Sequence, residues 1–355
     1  MAPVYLTLKK EAQLDVRLVT TAQHRQMLDQ VLSVFDMKPD FDLDAMRPDQ
    51  QLSDLSSRIL LGIQKILADA KPAAVLVHGD TASCLFSAIA AFYERIPVGH
   101  VEAGLRTYNF DAPWPEEMNR RLVDPICRWC FAPTKRAAEN LSSERVPRQK
   151  ILITGNTIVD ALILARTMVH KNKPSIPQLP EDMLSVHRLI LVTGHRRESF
   201  GEPFKEFCMA LRDIVRDHKD TTLVYPVHLN PNVQKTVYDI LDNEDRIFLI
   251  PPVQYLQFVY LMDKSFLIIT DSGGIQEEAP TFKKPVLVTR EITERPEAVE
   301  SGLAKLVGTS RKKIVAEASR LLCETSIYSQ MTQGTNPYGD GQAAKRIKDC
   351  LLNSI

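Results

Sequence analysis

No apolar run in this sequence is long enough to cross a bilayer, so a membrane-spanning helix is not expected. The opening Met1-Ala2-Pro3-Val4-Tyr5-Leu6 has no basic segment followed by a long apolar core, so no signal peptide is expected either. There is no excess of positive charge. Lys+Arg 44 balances Asp+Glu 44, which argues against a dedicated nucleic-acid binder. Cysteine is sparse, with six residues in 355, too few for a disulfide framework in a chain of this length. The six read as reduced thiols of a cytoplasmic protein. There is no intact Gly-x-Gly-x-x-Gly, no Gly-x-x-x-x-Gly-Lys-Ser/Thr, no repeat of fixed period and no low-complexity tract.

What is present is an ordinary globular composition, 44% apolar and 25% charged, in a length that suits two domains. Short apolar runs alternate with amphipathic stretches. In the first half the expected strands are 15–20, 73–78 and 97–102, with helices at 52–70 and 82–93 between them. In the second half they are 189–193, 222–227, 247–250, 266–270 and 285–288. Nearly continuous apolar strands separated by helices mean parallel sheets covered on both faces, so the expectation is two doubly wound α/β domains. The stretch 170–184, with Lys173-Pro174, Ile176-Pro177 and Leu179-Pro180, lacks an apolar period and reads as the start of the linker. Asn336-Pro337-Tyr338-Gly339-Asp340-Gly341 reads as a turn cluster before a last helix over 342–352. The domains are thus expected at 1–168 and 185–335, with 336–355 a separate terminal segment.

Polar clusters fall where these strands end, which is where open α/β sheets bind their ligands. They are His78-Gly79-Asp80-Thr81, His100-Val101-Glu102-Ala103-Gly104, Thr193-Gly194-His195-Arg196-Arg197-Glu198-Ser199, Pro226-Val227-His228 and Asp271-Ser272-Gly273-Gly274. The last opens a helix. Ser272 can cap it, the two glycines let a ligand approach the backbone, and first-turn N–H groups suit an anion. Glu277 and Glu278 follow, where a carboxylate can accept from ribose hydroxyls. The same residues also suit an ordinary capped helix start. In the 194–199 stretch Arg suits bidentate phosphate contact and a neighbouring His can donate to a diphosphate, although a solvated charged loop has the same composition. Asp80, Glu102 and Glu116 form a set of carboxylates that can divide acid and base roles, and Asp80 could equally cap the helix near Thr81. Cys127 and Cys130 form a lone C-x-x-C with no second pair, for which ordinary packing is favoured over zinc. His24 and His228 are isolated. Anion sites in one half and carboxylates in the other suggest an enzyme acting on a nucleotide diphosphate sugar.

Taken together, the motifs resemble one family. They include Val77-His78-Gly79-Asp80-Thr81, 99–107, Pro113-Trp114-Pro115-Glu116-Glu117, Thr154-Gly155-Asn156-Thr157 and 194–200. Further along come 225–231, 271–280, Thr293-Glu294-Arg295-Pro296-Glu297 and 336–341. In this order, over essentially the whole chain, they are similar to the non-hydrolysing UDP-N-acetylglucosamine 2-epimerases of bacteria. The resemblance implies a GT-B architecture, in which two Rossmann-like domains face each other across a cleft that closes over the nucleotide and the last helix returns to the first domain. It implies cofactor-free interconversion of UDP-N-acetylglucosamine and UDP-N-acetylmannosamine, with no metal. By motif, Asp80, Glu102, Glu116 and His195 match catalytic positions. Arg196, Ser272, Gly273, Gly274, Glu278 and Arg295 match substrate- or UDP-contacting positions, and Phe258 one near the uracil. Gln23, Gln26, Arg58 and His228 match a second, adjacent site at which the substrate activates the enzyme. A cytoplasmic homodimer serving polysaccharide biosynthesis, with no nucleic-acid or membrane partner, is what the resemblance implies.

Two departures stand out. The family begins with a strand and a loop carrying an Arg and a Lys just before the segment that opens this sequence, and these are absent here. The chain as given is therefore expected to be less stable and much less active than one extended at that end, which equal turnover by the two would refute. Val253 stands where some relatives carry a polar residue near the base. A UDP-diacetamido-uronic acid epimerase, a GT-B glycosyltransferase and a nucleotide-sugar binder without turnover are the competing readings.

Overall fold

The computed structural model describes residues 1–22, 25–47, 50–180, 183, 188–196, 200–293 and 295–354, with the side chains of residues 26 and 27 set aside. The fold is α/β, with two Rossmann-like units of the GT-B class. One compact unit comprises Met1–Ala161 with Tyr338–Ile355, and the other comprises Leu162–Pro337.

In the first unit, β1 (Val19–Thr20) and β2 (Phe41–Asp42) form a small parallel pair. The main sheet is β3 (Val75–His78), β4 (Val98–Val101), β5 (Trp129–Ala132) and β6 (Ile151–Ile153), all parallel and in that spatial order. Every residue of β4 and β5 is buried, as strands covered on both faces must be. On one face Ile59 and Ile63 of the helix Leu52–Ala70 and Leu85 and Ala88 of the helix Ala82–Tyr93 join one cluster with Val77, Val98 and Cys130. On the other, Val4 and Leu8 of the helix Ala2–Leu8 and Ile347 and Leu351 of the helix Ala343–Leu352 pack with Val101, Trp129 and Phe131. The Asp160 carboxylate fastens that last helix by accepting from Ala343 N at 3.2 Å and Ala344 N at 2.9 Å, a negative charge set at the positive end of the helix.

The expected strand at 15–20 shrinks to its last two residues. Asp15 and Arg17 precede them, exposed and paired with each other at 3.0 Å, and such charges cannot enter a strand buried on both faces. Three strands of this unit, β2, β5 and β6, had no counterpart in the sequence reading. β2 and β6 are only two and three residues long, and β5 is the four-residue run Trp129-Cys130-Phe131-Ala132.

The second unit holds one six-stranded parallel sheet of β7 (Arg188–Thr193), β8 (Thr221–Pro226), β9 (Ile247–Ile250), β10 (Leu267–Thr270), β11 (Val286–Val288) and β12 (Ala304–Leu306). Its spatial order, β9-β8-β7-β10-β11-β12, is that of a doubly wound nucleotide-binding sheet. The expected strands lie within one residue of β7 to β11, and β12 is additional. The winding reverses between β7 and β10, whose register pairs Thr193 with Thr270 at their carboxyl ends. Ile190, Val192, Leu223, Tyr225 and Ile269 share a core with Phe207, Leu211 and Ile214 of the helix Glu202–Asp217.

Candidate functional site

At the reversal point of the second unit, the loops after β7 and β10 are tied by one carboxylate. Asp271 is 3% exposed. Its Oδ2 accepts from His195 N at 2.7 Å and from Arg196 N at 2.8 Å. The hydroxyls of Thr193 and Thr270 bond at 2.6 Å, and Thr270 Oγ1 also accepts from Ser272 N at 2.9 Å. Behind the loop the buried Tyr225 hydroxyl donates to Gly194 O at 2.6 Å. His195 thus begins its loop with its backbone fixed. Its ring stacks on that of His228, with centroids 5.0 Å apart and planes 8° apart.

Of these, Thr193, Gly194, His195, His228 and Ser272 line a cavity of about 210 Å³. Its wall brings together His195, His228, Val253, Phe258 and Ser272, five positions singled out in the sequence. The helix Gly273–Glu278 starts at this wall, its first N–H groups at the carboxyl end of β10. One expectation needs correction. Ser272 occupies the N-cap position but its side chain makes no capping bond, so its hydroxyl is not spent on the helix. Glu278 ends the same helix. Burial, with the Glu277 charge beside it, pushes its carboxyl up to about 8, so it is protonated at neutral pH and can donate as well as accept. Arg295 faces Glu277, whose carboxylate accepts from the Arg295 Nε, and Thr293 Oγ1 accepts from Arg295 N at 3.0 Å. Arg197, Glu198 and Ser199 lie outside the described residues.

The first unit places Asp80 and Glu102 after neighbouring strands. β3 and β4 pair His78 with Val101, so the turns that follow lie side by side. Glu102 has a left-handed backbone, φ 72°, a conformation uncommon outside glycine and often kept at functional sites. Its carboxylate lies 3.2 Å from His78 Nε2 and accepts from Asn156 Nδ2 at 3.5 Å. Gly104, two residues on, has φ 87°, and a Cβ there would stand 2.3 Å from the Ala137 carbonyl oxygen.

Asp80 is not the helix cap. Thr81 is, with its hydroxyl accepting from Cys84 N. Asp80 instead receives Arg120, whose Nε and Nη2 donate to Oδ2 at 3.0 and 2.6 Å. Arg120 also reaches Glu117, a fully buried carboxylate that accepts from Thr107 N and Tyr108 N at 3.0 Å each. Glu116, on the first turn of the helix Glu116–Ile126, is half-buried and its side chain makes no hydrogen bond among the described residues.

Beneath these loops lies a buried ionic chain. The two nitrogens of His100 face the Asp124 carboxylate at 2.6 Å and the Gly79 carbonyl at 2.8 Å. Both partners are acceptors, so both ring nitrogens donate and the ring is an imidazolium. Burial opposes that charge, but Cys84 and Asp124 outweigh it and hold the pKa well above the ordinary imidazole range. Arg106 Nη2 donates to Asp124 at 2.6 Å and to Glu144 at 2.7 Å. Burial likewise opposes the charge on Asp124, yet His100 and Arg106 keep its pKa below the usual carboxylate value. The chain ends on the carbonyl of Gly79, itself at φ 73°, and so fixes the turn that carries Asp80.

Arg58 lies in the first unit, on the helix Leu52–Ala70, with its Nε donating to Ala45 O at 3.1 Å. Gln26 is on the helix Arg25–Val34, while Gln23 and His24 lie outside the described residues. Cys127 and Cys130 are free, buried thiols whose pKa values burial pushes up, Cys130 to about 12. Among the described residues no His, Cys, Asp or Glu group is arranged to hold a metal, and no helix is long and apolar enough to cross a membrane.

A doubly wound sheet with a cavity at its reversal point, and strand-end carboxylates in a second α/β unit, define a chain built to bind a nucleotide-type ligand. A model of the UDP-N-acetylglucosamine 2-epimerase family matches residues 6–352, and the chain belongs to that family. It is 51% identical over 356 residues to the UDP-N-acetylglucosamine 2-epimerase of Yersinia pestis, covering 99% of this chain and 95% of that protein. It is 50% identical to that of Escherichia coli K12, covering 100% and 95%. Among solved structures, the UDP-GlcNAc 2-epimerase of Neisseria meningitidis bound to UDP-GlcNAc is 45% identical with a TM-score of 0.86, covering 100% of this chain and 96% of that one. The Methanocaldococcus jannaschii UDP-GlcNAc 2-epimerase in complex with UDP-GlcNAc and UDP is 32% identical with a TM-score of 0.76, covering 99% and 96%.

Proposed function

We propose that this chain interconverts UDP-N-acetylglucosamine and UDP-N-acetylmannosamine by inverting C-2 of the sugar. Membership of the family over nearly the whole chain carries this reading, and the strand-end chemistry gives it a mechanism. The C-2 proton is not next to a carbonyl, so its direct removal is very unfavourable. Elimination avoids that difficulty. A base removes the C-2 proton, the C–H electron pair becomes a C-1 to C-2 double bond, and the C-1 to oxygen bond breaks, releasing UDP. The intermediate is 2-acetamidoglucal. Protonation of C-2 from the other face and return of the UDP oxygen to C-1 complete the inversion.

The residues suit these tasks. Asp80, Glu102 and Glu116 are proposed as the groups that move protons at C-2, which requires carboxylates in unlike surroundings. Their surroundings do differ: Asp80 is gripped by Arg120, Glu102 lies beside His78 on a left-handed turn, and Glu116 is free of described partners. His195, Arg196, Ser272 and the N–H groups of Gly273 and Gly274 are proposed to hold the diphosphate as negative charge develops on it. Phe258 is proposed at the uracil, and Glu278 and Arg295 at the rest of the nucleoside. A second UDP-N-acetylglucosamine is proposed as activator through Gln23, Gln26, Arg58 and His228, in a cytoplasmic homodimer.

The deciding experiment is proton NMR of UDP-N-acetylglucosamine incubated with the protein in deuterated water. The expected result is the manno epimer with deuterium at C-2. Binding of UDP without C-2 exchange, or sugar transfer to an added acceptor, would overturn the reading.

A further inference from the structure

Among the described residues, a buried carboxylate oxygen at the reversal point of the second unit has no donor. The two oxygens of Asp271 are treated very differently. Oδ2 accepts two backbone N–H groups, from His195 and Arg196. Oδ1 is buried and receives no hydrogen bond among the described residues. A buried acceptor left without a donor costs about 1–3 kcal/mol. The polar atom facing it is Nδ1 of His195, at 3.6 Å, just beyond hydrogen-bond length. Because Oδ2 is anchored by two bonds, Oδ1 cannot swing away without breaking them. The His195 side chain, by contrast, is 43% exposed and can rotate by the few tenths of an ångström required.

We propose that Asp271 is a positioning residue for His195, accepting a hydrogen bond from Nδ1–H when the site is occupied. This rests on the epimerase reading and deepens it by assigning the orientation of His195. One carboxylate would then hold the same residue twice, by its backbone N–H and by its ring. With Nδ1 committed to Asp271, the other ring nitrogen, Nε2, is the one left for the ligand. In this orientation a protonated ring donates from Nε2 to the diphosphate and a neutral ring accepts there. Among the described residues, Asp271 Oδ1 at 3.6 Å from Nδ1 and the stacked ring of His228 stand beside the His195 ring.

The test uses Asp271→Asn. The amide oxygen of Asn preserves the acceptor for both backbone N–H groups, while its NH₂ now faces Nδ1. Nδ1 is thereby turned into an acceptor, and the proton moves to Nε2. In long-range ¹H–¹⁵N spectra of ¹⁵N-histidine-labelled protein with UDP bound, the parent is expected to show the Nδ1–H tautomer of neutral His195. Its signals are assigned by their loss in His195→Gln. Asp271→Asn is expected to show Nε2–H, and its kcat for C-2 exchange to fall on the order of 10²-fold, the scale of a misplaced acid or base. Its affinity for UDP should stay within a fewfold. An Nε2–H parent, or an Asn variant with the parent tautomer and kcat, overturns the proposal. If Asp271→Asn does not fold, the parent spectrum alone decides. If the parent turns over no substrate, the functional reading fails, while the spectrum still reports on the pair.

Discussion

The first unit fastens its strand-end loops with charge, and the second fastens them with backbone and hydroxyl bonds around one carboxylate. Under Gly79 and Asp80 run Arg106, Asp124 and His100, with the Arg120–Glu117 pair beside them. At the reversal point of the second sheet, Asp271, the Thr193–Thr270 pair and the Tyr225 hydroxyl do the same task with a single ionised group. Buried ion pairs add little net stability, because desolvation offsets attraction, but they lose a great deal when one partner goes. The contrast suits the proposed chemistry. Proton transfer at C-2 needs carboxylates fixed in direction, whereas a diphosphate can be gripped by N–H groups that any well-formed helix start provides.

The largest expected effect breaks the charged side of that contrast. Asp124→Ala leaves His100 without a carboxylate and Arg106 with Glu144 alone. It should cost about 3–5 kcal/mol in urea denaturation. A loss below about 1 kcal/mol would show that the buried ions are not what hold the first unit's turns. Glu102→Gln separates chemistry from fastening. Turnover should fall on the order of 10²-fold or more, while the melting temperature moves by only a few degrees.

Glu278 tests the uncharged side through pH. Its folded pKa, about 8, lies above the ordinary value of 4.5, so between those limits the folded state keeps a proton that the unfolded state has lost. Stability contributed by that proton is complete below pH 4.5 and fades as pH rises to about 8. Relative to Glu278→Gln, the parent should therefore lose stability across this window, and parallel curves would show the carboxyl to be ionised throughout. The smallest effect belongs to Ser272→Ala. Because the hydroxyl caps nothing, unfolding should change by less than about 0.5 kcal/mol. UDP affinity should weaken about 2- to 10-fold, the worth of one hydrogen bond.

How far these arrangements were legible differs between the units for a physical reason. Strands β7 to β11 are apolar runs bounded by turn residues, and their positions follow from the pattern alone. So do the polar residues at their ends, since a residue after a buried strand has few places to go. What fastens those residues was not legible. Arg120 reaches Asp80 across 40 positions, and Arg106 reaches Glu144 across 38. No local period records such distances. Asp271 stood in a quoted motif, yet its role emerges only once β7 and β10 lie side by side. The capping assignments failed by a single residue at Asp80. There the neighbour Thr81 competes for the same backbone N–H groups with a hydroxyl of equal aptitude.

The first unit is made of two pieces of chain, joined where Asn156 N donates to Tyr338 O at 2.6 Å. During synthesis, residues 162–337 must leave the ribosome before Tyr338 does. Until then Val101, Trp129 and Phe131 lack Ile347 and Leu351, and the carboxylate of Asp160 lacks the helix it caps. The nascent first unit therefore carries an aromatic face covered only by Val4 and Leu8 for the time it takes to translate an entire second unit. At 5–20 residues per second that is roughly ten to thirty-five seconds, an interval in which a chaperone has more to protect than in the finished protein.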